Sequence, residues 1–144
     1  MKKMKKISVS VVMSLIICMM FSMTVFAATT TSKTFPRMNA INGSSVTKYV
    51  TVSAYGNPAL SGVQLSLNVS NGSDPFYIIV ESPNHTTVTL SPSTTSGTYN
   101  LTSYFAGENP NGRWYITLQN AGYSYNPNQV YPTSTVTPTL KFTY

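Results

Sequence analysis

Acidic residues and histidine, the side chains that most often carry acid–base chemistry, are scarce in this 144-residue chain. It has three acids, Asp74, Glu81 and Glu108, and one histidine, His85. A glycosidase needs two carboxylates about 5–9.5 Å apart across one bond, and a serine hydrolase needs a base and an orienting acid beside its hydroxyl. Asp74 and Glu81 could meet in space, but their spacing does not require it. We therefore expect no catalytic residues and interpret His85 as a polar turn residue.

Metal ligands are equally few. Zinc takes about four Cys, His or acidic ligands, and the only cysteine, Cys18, lies in an apolar N-terminal run. Calcium binds oxygen donors, which Asp74, Glu81, Asn84 and Glu108 could supply. Solvent-exposed loop carboxylates are the simpler interpretation. We expect no cofactor and leave calcium open as an alternative.

Tyrosines offer a different chemistry. Tyr123, Tyr125 and Tyr131 crowd the segment 120–132 among several amide side chains. Tyrosine rings give flat apolar faces to sugar C–H groups, and neighbouring amides can bond sugar hydroxyls. These three tyrosines are the candidate ligand-binding residues, and the simpler interpretation is that two of the rings close one end of the fold while the third lies free.

Residues 1–27 have the pattern of a secretory signal peptide. Four lysines in the first six residues precede an apolar run from Ile7 to Phe26, and we expect cleavage after Ala27. Retention as an N-terminal anchor is the alternative, because about 20 apolar residues can span a bilayer. The remaining chain has five cations and three anions, which weakens a nucleic-acid role. The short lysine-rich leader predicts an extracellular protein of a Gram-positive bacterium.

Alternating apolar and polar residues predict strands. Every second residue is apolar in Val63–Val69 and in Trp114–Gln119, where Trp114 is the first inward residue. Phe76–Val80 is apolar throughout, which predicts a central strand covered on both faces. Further strands are predicted at 48–54, 86–90, 98–102 and 139–144.

Turn signals about every ten residues predict one all-β domain, an antiparallel β-sandwich. After residue 28 we find no helical apolar stripe. We expect a spacer and the lead into the first strand at 28–45, with 28–33 mobile, and the sandwich at 46–144.

The segment Leu101–Leu118 resembles the signature of the P domain (Homo B domain) found beside subtilisin/kexin-like proprotein convertases. That family has a Phe-x-Gly-Glu/Asp turn, then Asn-Gly, a spacer and Trp. The matching residues here are Phe105, Gly107, Glu108, Asn111, Gly112 and Trp114. Upstream, the segment 82–90 is similar to the family's Ser-Pro-x-Gly-Thr turn and following strand, with Asn84-His85 in place of a small residue and glycine.

The resemblance implies a jelly-roll, galactose-binding-like sandwich that acts as an accessory domain without catalytic residues. Two departures matter: 144 residues leave no room for a protease, and Asn71–Pro75 replaces the family's His-Thr and Asp-Leu pairs. We predict a secreted non-catalytic module that binds an extracellular protein, a protease among the options, or the cell surface. The first alternative is a lectin-like module that binds carbohydrate or cell-wall glycan. The second is a small secreted hydrolase.

Overall fold

The computed structural model describes residues 27–72, 74–121 and 133–144. These residues form strands and one short helix. In chain order the elements are β1 (Thr30–Thr34), β2 (Met38–Ile41), β3 (Ser45–Val52), β4 (Gly62–Gly72), β5 (Phe76–Glu81), β6 (Thr87–Ser93), β7 (Gly97–Asn100), α1 (Thr102–Phe105), β8 (Gly112–Asn120) and β9 (Thr133–Thr143).

The described strands make two antiparallel sheets that enclose one core. The five-stranded sheet has the order β1-β9-β4-β7, with β2 also on β9, and the four-stranded sheet has the order β3-β8-β5-β6. If β1 and β2 are counted as one interrupted edge strand, the fold has eight strands. In that numbering the strand order is 1-8-3-6 in one sheet and 2-7-4-5 in the sheet that faces it. This is the jelly-roll arrangement. The predicted all-β antiparallel sandwich is confirmed.

The predicted alternation sets the core. Val63, Leu65 and Leu67 of β4 are buried, and so are Ile116 and Leu118 of β8. Because successive side chains in a strand point to opposite sides, each of these strands gives one face to the core and one to its outer surface.

Strand β5 differs from its prediction. It is an inner strand of its sheet, but Phe76, Ile78 and Val80 are buried while Tyr77 and Ile79 are only half-buried. The prediction that both faces are covered is therefore wrong. The apolar residues on the outer face lie in a sheet surface that nothing else in the described chain fully covers.

The N-terminal residues also correct the sequence analysis. Instead of a mobile spacer at 28–33, Thr30–Thr34 form β1, paired with β9 so that Thr30 lies opposite Thr143. Main-chain hydrogen bonds hold this strand, and they do not need an apolar side-chain pattern. The predicted strand at 98–102 ends at Asn100, because the side chain of Asn100 accepts a hydrogen bond from the amide of Thr102 (2.9 Å) where α1 begins.

The described part of the chain contains no helix that is both long and apolar enough to cross a bilayer. Apart from Ala27, the predicted leader lies outside the described residues.

Candidate functional site

Trp114, the last residue of the signature, is the centre of the core. It is fully buried and lies 4.8 Å from Phe142 and 5.1 Å from Phe105 between ring centroids, the latter edge to face. Its indole N–H donates to the carbonyl of Pro110 at 2.9 Å. The prediction that Trp114 faces inward is confirmed, and the indole is also bonded to the loop that precedes β8.

The two signature glycines adopt backbone conformations that other residues rarely take. Gly107 has φ 83° and Gly112 has φ 128°. A Cβ atom on Gly112 would also lie 2.8 Å from Cβ of Pro83. Both glycines have a positive φ, and at Gly112 the close approach of the 82–86 turn adds a second reason for glycine.

Asn111 fixes the loop between β3 and β4. Its side-chain oxygen accepts from the amide of Ala54, and its NH2 group donates to the carbonyl of Ala54 (3.0 Å) and to Oδ1 of Asn57 (2.9 Å). Asn57 has a positive φ of 49°. One amide therefore holds three polar groups of a loop with no regular structure.

Glu108 likewise holds loop residues in place, in this case those of the 82–86 turn. One carboxylate oxygen accepts from the hydroxyl of Thr86, and the other accepts from the side-chain NH2 group of Asn84 at 3.4 Å. The carbonyl of Glu108 accepts from the amide of Leu60 at 2.8 Å. The signature acid joins two loops at one end of the sandwich, which is a structural use of the carboxylate.

The other acids do not form a pair. Glu81 bonds to Nδ1 of His85 at 2.8 Å, beside the turn that Glu108 contacts. Asp74 precedes the opposite end of β5, about 20 Å away along the strand. No group of three or more His, Cys, Asp or Glu side chains placed to hold a metal ion occurs among the described residues.

Ser82 is the serine nearest to His85 in the turn, but its hydroxyl is buried and already engaged in hydrogen bonds. It accepts from the amides of Asn84 (3.2 Å) and Thr86 (3.3 Å). The hydrogen bond that the His85 ring makes within the described chain goes to Glu81. The described turn therefore does not assemble the Ser-His-acid geometry of a hydrolase.

An exposed cluster of two tyrosines and an arginine lies on the outer face of the four-stranded sheet. Pairing of β3 with β8 puts Tyr49 opposite Tyr115 and Thr51 opposite Arg113. The tyrosine rings are 5.8 Å apart, and Cζ of Arg113 lies 5.0 Å from the centroid of Tyr49. Tyr49 is 52% exposed. We call Tyr49, Arg113 and Tyr115 the tyrosine–arginine cluster.

The cluster presents a permanent positive charge. Hydrogen bonding to Tyr115, and then the charges that Tyr115 and Tyr49 can carry, raise the pKa of Arg113 above its ordinary value. Arg113 has no carboxylate partner within the described chain. Glu81 lies opposite Tyr115 where β5 pairs with β8, but its carboxylate bonds to His85.

Sequence reasoning missed this cluster. The alternation placed Tyr49 and Tyr115 outward on their own strands, but it did not show that those strands pair. The predicted binding residues Tyr123, Tyr125 and Tyr131 lie outside the described residues.

Comparison with known proteins bears on the fold. No protein-family model and no curated protein sequence matches the chain. The crystal structure of FLHE is similar, with a TM-score of 0.56 and 15% identity over 82% of this chain and 96% of that one. The likeness is one of fold. A family two carbohydrate esterase from Cellvibrio japonicus aligns with a TM-score of 0.39 and 13% identity over 81% of this chain and 34% of that one.

Proposed function

We propose that the chain is a secreted, non-catalytic binding module that associates with an extracellular protein through the tyrosine–arginine cluster. The observation that carries the proposal is a cation held over an exposed aromatic ring, with no acidic partner among the residues that the structure describes. Secretion rests on the leader pattern of residues 1–27.

The composition of the cluster suits a protein partner. Tyrosine and arginine are over-represented among the residues that dominate binding energy at protein interfaces. Tyr49 and Arg113 already contact each other, so little side-chain freedom remains to be lost on binding. The guanidinium of Arg113, which has no carboxylate partner in the described part of the chain, selects a surface that offers a carboxylate, because complementary charge steers and specifies association.

The resemblance to the P domain supports an accessory role. His85 stands where that family has glycine, and it adopts a positive φ of 65°, which is a glycine-like conformation. Gly107 and Gly112 also have positive φ in the matching turn. A protease is accordingly one class of partner to look for.

The test compares capture by three forms of residues 28–144, a fragment that contains every described strand. The wild type, a Tyr49→Ser/Arg113→Gln double variant and a Tyr104→Ser control are immobilised and exposed to culture supernatant and surface extract of the producing organism. Tyr104 is 57% exposed, close to the 52% of Tyr49. We expect a protein that the wild type and the control retain and the double variant loses.

A captured protein is then purified and titrated against all three forms. The double variant should bind at least about tenfold more weakly, and added salt should weaken wild-type binding because the Arg113 contact is solvent-exposed. Equal binding by wild type and double variant, with both shown to be folded by circular dichroism, would refute a role for the cluster.

A further inference from the structure

A second surface feature lies on the outer face of the five-stranded sheet. It is a depression with a volume of about 210 Å³, and its polar lining includes Gln64, Asn100, Thr102, Lys141 and Thr143. Strand pairing brings these polar side chains together. Gln64 lies opposite Lys141 on one side and opposite Asn100 on the other, so three long polar side chains share one row of the sheet.

Gly62 keeps this depression open. It lies opposite Thr143, and a Cβ atom on Gly62 would be 3.3 Å from Cβ of Thr143 and 3.9 Å from Oγ1 of Thr102. Gly62 is not among the glycines with positive φ, so its backbone does not require glycine. Gly62 is the first residue of β4, and the observed reason for glycine there is the close approach of the Thr143 side chain.

Three side chains of the lining have free donors. Oδ1 of Asn100 accepts from the amide of Thr102, which leaves the NH2 group of Asn100 available. The side chains of Gln64 and Lys141 make no hydrogen bond or ion pair with the described residues. The hydroxyl of Thr102, in contrast, already accepts from the amide of Val63 (3.1 Å) and donates to its carbonyl (3.4 Å). The lining holds an ammonium group, amide NH2 groups and hydroxyls, and it contains no carboxylate.

From this geometry we infer that the depression binds the carboxylate or phosphate of a monosaccharide-sized ligand. An ammonium group flanked by amide donors complements an oxyanion. The volume is below the roughly 300–1,000 Å³ of sites for drug-sized ligands, and a group of about one sugar ring matches it. Thr143 and Gln64 can bond the hydroxyls of that ring. The site is separate from the tyrosine–arginine cluster, and either can exist without the other.

The inference is tested by titrating isotopically labelled residues 28–144 at low ionic strength with four probes, followed by amide NMR shifts. The probes are glucuronate, glucose 6-phosphate, inorganic phosphate and glucose. We expect saturable shifts with at least one of the two sugar acids, confined to amides near Gly62, Asn100 and Lys141. Which of the two binds identifies the anionic group.

Variants locate the site. Lys141→Met removes the charge but keeps an apolar stem, and Gly62→Ala places a methyl group in the depression. Each should weaken binding about tenfold or more, while the control Lys48→Met removes an equal charge from the other sheet and should stay within about twofold.

Three results would overturn the inference: no saturable shift with either sugar acid, unchanged binding by Lys141→Met, or glucose binding as tightly as glucuronate. If inorganic phosphate bound as tightly as the better sugar acid, the saccharide part would be wrong.

Discussion

Replacing Trp114 with alanine should remove a large part of the stability of the domain. The side chain is fully buried between Phe105 and Phe142. A buried tryptophan removes about 200–250 Å² from water, worth up to roughly 5–6 kcal/mol at 25 cal/mol per Å². Alanine retains part of that area, and observed losses for buried aromatic-to-alanine changes are about 3–5 kcal/mol. We expect a loss in that range.

Loss of the indole N–H adds to the effect, because the carbonyl of Pro110 then has no donor. Trp114→Phe separates the two contributions. Phenylalanine keeps most of the ring packing but leaves that carbonyl unsatisfied, which costs about 1–3 kcal/mol. The phenylalanine variant should therefore lie between wild type and Trp114→Ala.

Urea unfolding of residues 28–144, followed by far-ultraviolet circular dichroism, measures these losses. Trp114 is the only tryptophan, so its fluorescence cannot be compared between variants. The urea midpoint should fall with little change in slope. At roughly 4 °C per kcal/mol, the melting temperature of Trp114→Ala should fall by about 12–20 °C.

A loss smaller than about 1 kcal/mol for Trp114→Ala would refute the reasoning, because surface changes typically fall within that range. It would mean that the indole does not fill the centre of the sandwich. A Trp114→Phe variant as unstable as Trp114→Ala would instead assign most of the effect to the hydrogen bond.

Substitutions at two further positions test the loops around the signature. His85→Gly should be more stable than His85→Ala by about 1 kcal/mol, because both lose the contact with Glu81 and only alanine retains the penalty of positive φ. Asn111→Ala should cost about 2–3 kcal/mol, because the Ala54 and Asn57 groups lose their partner. Chemical denaturation measures both.

The controls follow from the same contacts. Equal stability of the glycine and alanine variants of His85 would contradict a strained turn. Asn111→Asp keeps the acceptor for the amide of Ala54 but loses both donated bonds. It should be no more stable than Asn111→Ala, because a carboxylate oxygen would face the carbonyl of Ala54 and Oδ1 of Asn57. An Asn111→Ala variant as stable as wild type would mean that Asn111 does not hold the loop.

The sequence predicted those parts of the fold in which a local pattern has a single explanation. Alternation in Val63–Val69 and Trp114–Gln119 identified two strands and their inward residues. Trp114, the first inward residue of its strand, is fully buried. Each of these inferences depends on neighbouring residues and on the difference between a dry and a wet face.

The parts that the sequence did not predict depend on distant partners. Strand β1 has the sequence TTSKT, with no apolar alternation, and exists because β9 offers it main-chain hydrogen bonds. The tyrosine–arginine cluster needs the register of β3 against β8, which a single strand cannot reveal. The depression beside Gly62 likewise needs three strands in register.

The central position of β9 has a consequence for the order of folding. This strand, Thr133–Thr143, pairs with β1, β2 and β4, so the five-stranded sheet cannot assemble until β9 has been synthesised. Contacts between sequence-distant segments also make folding slow. Until β9 arrives, β1, β2 and β4 lack the neighbour that accepts and donates their main-chain hydrogen bonds on that side.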